Sequence, residues 1–180
     1  MRTLTLSETV GAIDALTITT KDTPRGITLD ATLALRVMTG IDVLDSLGKP
    51  DEIDEDGVVV SSLGNGVPSD VWRQLFNSDG VPLPLGVKEH VFDGELLQHI
   101  MRLDYSAAGK RTKTHEWHSV KLTTFKATLM QGPGVCLTFK AKLIRVPQLD
   151  IAWLCGGMCA AVVNVSVKDS QEALDLGGAS

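Results

Sequence analysis

At 180 residues, with 43% apolar and 22% charged side chains, the chain has the length of one domain able to bury about 70% of the surface it exposes unfolded. That composition excludes a disordered or low-complexity chain, and the odd count of three cysteines, Cys136, Cys155 and Cys159, argues against a disulfide framework and for a reducing, cytoplasmic setting with the thiols acting as small buried hydrophobes. The net charge of −5 conceals a strong internal asymmetry that is taken up below.

The opening segment, MRTLTLSETVGA, alternates apolar and hydroxyl side chains and lacks the continuous apolar stretch of a secretory signal, so no export is expected. DALTITTK and ITLDATLALRV follow, separated by DTPRG. Both read as strands, and the Pro and Gly between them predict a hairpin. In the second strand Ile27, Leu29, Ala31, Leu33, Leu35 and Val37 fall on one face, the period of a sheet with one wet side.

Residues 39–49 place Ile41, Leu44 and Leu47 at helical spacing before Gly48 and Pro50, a short helix with a sharp stop. The next stretch, PDEIDEDG, carries five acids in six residues. Its start resembles a calcium loop, but position twelve is Leu63 where a bidentate carboxylate is needed. Residues 68–80 predict a second helix, capped by Ser69, with Val71, Trp72, Leu75 and Phe76 on one side. In VKEHVFDGELLQHIMRLD, the lack of alternation and the many helix formers favour a strand followed by a helix from Glu95 to Leu103, over a hairpin turning at Asp93 and Gly94.

KRTKTHEWHS, residues 110–119, leads into two further strands joined by QGPG. His115 and His118 are three positions apart and would face opposite ways on a strand, so they do not reproduce the helical pair of a zinc hydrolase. CGGMC has three residues between its cysteines and no second pair. No metal or other cofactor is therefore expected. No nucleophile elbow, phosphate loop or catalytic triad is legible either, and the chain reads as a non-enzymatic protein.

Counting Lys and Arg against Asp and Glu, residues 1–104 balance at 8 against 17, residues 105–149 at 8 against 1, and residues 150–180 at 1 against 4. The middle block is thus strongly basic in an acidic chain. If its two strands pair so that facing numbers sum to 265, one face carries Lys121, Thr123 and Phe125 opposite Ile144, Lys142 and Lys140. The expectation is a cationic face with an exposed ring. It predicts a nucleic-acid-binding surface, single-stranded rather than duplex, in which Lys110, Arg111, Lys113, Lys121, Lys140 and Lys142 neutralise phosphates while Trp117 and Phe125 stack bases. The alternative is an oligomeric structural or assembly protein, of coat or scaffold type, whose unlike-charged regions mate between copies.

The last apolar run, Ile151–Val167, holds a Gly pair and is too short and interrupted to span a membrane. It reads as buried strands, which makes the NVS sequon at 164–166 a coincidence. The expected fold is a single domain over 1–180, mainly antiparallel β in a sandwich or barrel with two or three short helices and a flexible tail at 170–180, with mixed α+β as the fallback.

Overall fold

The computed structural model describes residues 3–24, 26–40, 43, 47, 52–53, 59–60, 89–107, 110–130 and 134–170. Its strands are β1 (Leu6–Thr23), β2 (Gly26–Gly40), the two-residue β3 (Glu52–Ile53) and β4 (Val59–Val60), β5 (Glu89–Ala107), the short β6 (Lys110–Arg111), β7 (His115–Leu129), β8 (Gly134–Leu143) and β9 (Val163–Asp169), with a helix α1 (Gln148–Met158) before the last. Six of them form an antiparallel sheet in the order β5-β7-β8-β2-β1-β9, and β9 pairs back onto β5. The result is a closed barrel, which removes sheet edges wherever every strand has two neighbours.

The predicted β1–β2 hairpin is present, with Thr23 facing Gly26 across the turn and Leu16 facing Leu33. Gly26 takes φ +113°, a region that L side chains avoid. Further back, Gly11 stands between Val37 on β2 and Val163 on β9. A Cβ there would run into the Arg36 carbonyl, so only glycine lets β1 approach both neighbours at this crossing.

Ala31, Leu33, Leu35 and Val37 from β2 point into the barrel with Val120, Leu122, Phe125 and Ala127 from β7 and the odd-numbered β8 residues from Val135 to Leu143. Val43 and Leu47, both helical and buried, add to this core. They lie inside the helix expected at 39–49, whose other positions after Gly40 are outside the described residues, as are the helix expected at 68–80, the acidic loop at 51–56 apart from β3, and most of the tail.

Two segments differ from the sequence expectation. Glu95–Leu103 is strand, continuous within β5. Its non-alternating pattern comes from bulges, with register shifts between Phe92 and Glu95 and between Leu96 and His99, and with Gly94 and Gln98 at positive φ. Each bulge inserts one residue and inverts the face that follows. The second difference is the run from Ile151, whose first half is helix α1 rather than strand. Its Gly pair packs against a ring: a Cβ on Gly156 would collide with the Tyr105 hydroxyl, and one on Gly157 would lie 3.3 Å from the same ring. The glycines seat the helix across one end of the barrel. Asn164 of the sequon, half-buried in β9, donates to Asp104 Oδ1 at 2.9 Å.

Candidate functional site

The basic block was expected to offer lysines around open rings, and its placement is set by β7. In the observed register Lys121 faces Lys142 and Thr123 faces Lys140, while past the bulge Lys126 faces Thr138. The facing numbers sum to 263 and then 264, not 265. Thr124, at φ +59°, is the inserted residue. Before it the even positions Val120 and Leu122 point inward; after it the odd positions Phe125 and Ala127 do. Strict alternation would keep Phe125 beside Lys121 and Thr123 on the outside. The bulge turns it inward instead, 0% exposed and 6.1 Å from Phe139, centroid to centroid.

A second inserted residue, Ser119 at φ +55°, does the same for Trp117. That ring is 8% exposed, and its Nε1–H donates to Asp150 Oδ2 at 3.1 Å at the start of α1. His115 points the same way, stacked on Trp153 with centroids 4.2 Å apart and with Nδ1 3.3 Å from Asp150 Oδ1. Tyr105 completes the group by donating its hydroxyl to the Trp153 carbonyl at 3.0 Å. Half of the HEWH segment therefore fastens the helix over the barrel end. The other half lies outside, where Glu116 bridges Arg102 and His118. Burial raises the Glu116 carboxyl, and the hydrogen bond and charge of Arg102 outweigh it, leaving the group below its ordinary range. Neither Phe125 nor Trp117 is available to stack a base.

The cations divide into two sets. Arg111 forms a two-pronged pair with Asp104, at 2.7 and 2.8 Å, and reaches Glu8 at 2.9 Å. The Arg111 hydrogen bond, against the cost of burial, holds Asp104 below the usual carboxylate range, helped by Asn164. Lys121 pairs with Glu95 and Lys126 with Glu89. By contrast Lys110, Lys113, Lys140 and Lys142 make no ion pair with a described carboxylate. Lys140 stands at one side of a shallow depression of about 300 Å³ floored by Ala15, Thr17, Thr32 and Ala34. Two neighbouring exposed amines on one strand, Lys140 and Lys142, are what remains of the expected strip on β7 and β8, and the charge of Lys142 already helps to lower Asp30.

The structure brings forward a surface that the sequence did not single out. β9 stops at Val163 opposite Gly11, and β8 stops at Leu143 opposite Ala31, yet β1 and β2 continue together to Thr23 and Gly26. Five residue pairs, from Thr19–Asp30 to Thr23–Gly26, therefore project beyond the barrel as a two-stranded arm, roughly 17 Å at strand rise. Its base is braced on one side, where the Val146 and Arg145 amides donate to the Leu29 carbonyl and to Asp30 Oδ1. Lys21 Nζ lies 2.6 Å from Asp30 Oδ2, and this pair holds Asp30 below its ordinary range against its burial.

The inner face of the arm continues the apolar register of β2: Leu29, half-buried, still packs against the core, and Ile27 lies beyond it. Ile27 is 72% exposed, beside a groove of about 480 Å³ lined by Leu29, Val146, Pro147 and Gln148. In the chain this groove is bracketed by Ile144 and Leu149, 58% and 84% exposed. Ile27 and Leu29 read in sequence as core positions on the correct face. Where partner strands end is a property of chain segments far away, and no local signal marks it. The thiols also differ from expectation: Cys136 is half-buried, its burial pushing its pKa up, while Cys155 on α1 and Cys159 at its C-terminal cap are exposed.

No group of three or more potential metal ligands occurs among the described residues, and none of their helices is long and apolar enough to cross a membrane. No family model, curated protein or solved structure matches the chain.

Proposed function

We propose that the protein is a non-enzymatic assembly component whose copies associate through the β1–β2 arm and the apolar groove at its base. The observation that carries this reading is the arm itself, a ribbon that runs on past the strands that pair with it, with Ile27 exposed beside the groove lined by Leu29, Val146 and Pro147 and with Ile144 and Leu149 exposed in the chain on either side of that groove segment. Large apolar side chains gathered on one surface mark an interaction site, whereas scattered single ones do not. Burying each on a partner is worth about 1.5–3 kcal/mol, so three or four of them approach the ~8 kcal/mol of a micromolar complex before the cost of association.

Light scattering after size exclusion tests this directly. The intact chain should elute above its 19.3 kDa monomer mass, and Ile27→Lys with Leu149→Lys should return it to monomer without loss of strand signal in circular dichroism. A native chain that is monomeric at all accessible concentrations would remove the proposal.

A second reading keeps nucleic acid as the partner, on the strength of Lys140 and Lys142 standing exposed beside Thr123 and Thr32, Lys140 without an ion pair to a described carboxylate and Lys142 acting on Asp30 only through its charge. With the rings buried, it reduces to phosphate contact that weakens steeply with salt. Fluorescence anisotropy with labelled single strands should then show saturable binding at low salt that Lys140→Glu with Lys142→Glu abolishes. Absence of binding leaves assembly alone.

A further inference from the structure

On the side away from β2, no described residue pairs with β1 between Ala12 and Thr23, because the chain between α1 and β9 turns off before Ala12. Leu16 is half-buried, while Ala15 and every residue from Thr17 to Lys21 are exposed along this stretch, and among the described residues no strand takes up the backbone donors and acceptors on this side. An open edge of this kind is a template for another strand, and proteins that need to stay apart guard it with charge, proline or a cover. Here Ala15–Thr20 has no charge and three threonines with one isoleucine, a composition suited to a strand. The two charges that flank it, Asp14 and Lys21, pair within their own copy with Arg36 at 2.9 Å and with Asp30, and both side chains stay about half exposed.

We propose that this edge adds to the same edge of a second copy, antiparallel, about a two-fold axis near Thr17. The inference rests on the assembly reading and names its partner. Charge selects the direction: antiparallel pairing carries Asp14 of one copy to within about a residue of Lys21 of the other at both ends, whereas parallel pairing would set like charges side by side. The same axis places exposed Ile18 opposite Leu16 of the second copy, so an apolar side chain left open at the last pair of the wall gains a cross-strand partner twice per dimer.

Hydrogen exchange followed by mass spectrometry on the full chain reads this edge. At concentrations where light scattering shows the oligomer, amides within residues 15–21 should exchange at least about tenfold more slowly than after dilution to monomer, because those pointing away from β2 acquire carbonyl partners. Thr17→Lys with Thr19→Lys, both at exposed positions, should abolish that protection and the added mass together. An oligomer in which 15–21 exchanges as in the monomer, or one that the two lysines leave intact, overturns the edge pairing while assembly by another surface survives. A chain that never exceeds monomer mass overturns both.

Discussion

β1 passes through two environments that share one backbone. From Leu6 to Gly11 it pairs with β9 on one side, and beyond Gly11 its only partner strand among the described residues is β2, with α1 packed against Ile13. Along the barrel wall Arg36, Arg102, Arg111, Lys121 and Lys126 are paired with the chain's own carboxylates and the rings of Phe125 and Trp117 are sealed inside. Along the arm Ile27 is exposed and, among the described residues, no strand pairs with the outer edge of β1. The contrast separates what folds the protein from what is free to meet a partner, and it predicts that substitutions in the two regions will act on different observables.

The largest effect is expected inside the wall. Phe125→Ala removes a ring that is 0% exposed and should lower the unfolding free energy by about 3–5 kcal/mol in a denaturant titration; a change near zero would mean that the ring is not packed as described. Breaking the network at β5 comes next. Asp104→Ala leaves Arg111 with Glu8 and strands the Asn164 amide, and a cost of about 1–3 kcal/mol is expected, reduced because Arg111 is half exposed.

Acid should act through the same wall. Asp104 and Asp30 are held below their ordinary range in the folded state, so the unfolded chain takes up protons first. Their contribution is complete above the unfolded value of about 3.9 and is lost as pH falls through the lower folded values. Stability should therefore hold from pH 7 to about 5 and decline below about 4, with Asp104→Asn showing a shallower decline. The smallest change in stability is expected on the arm, where Ile27→Lys with Leu149→Lys should alter unfolding by no more than about 0.5 kcal/mol while changing the association state.

Much of the fold was legible because alternation is a local signal. The β1–β2 hairpin and the inward face of β2 follow from period two and a Pro-Gly turn. The candidate site was harder to read because bulges invert that period without a marker in the side chains: Thr124 and Ser119 are unremarkable residues, and they turn Phe125 and Trp117 from the surface to the interior. The same difficulty made Glu95–Leu103 resemble a helix. In Ile151–Met158 the glycines resembled breakers because their reason, the Tyr105 ring, lies some fifty positions earlier. The charge asymmetry is plain in the sequence, yet its meaning depends on pairs such as Arg111 with Asp104 that only the folded chain reveals.

Sedimentation equilibrium of the intact protein over a hundredfold concentration range tests the central claim, that the arm exists to join copies. The account predicts an average mass that rises from 19.3 kDa towards at least twice that value as concentration increases. A single ideal species of monomer mass throughout would contradict it.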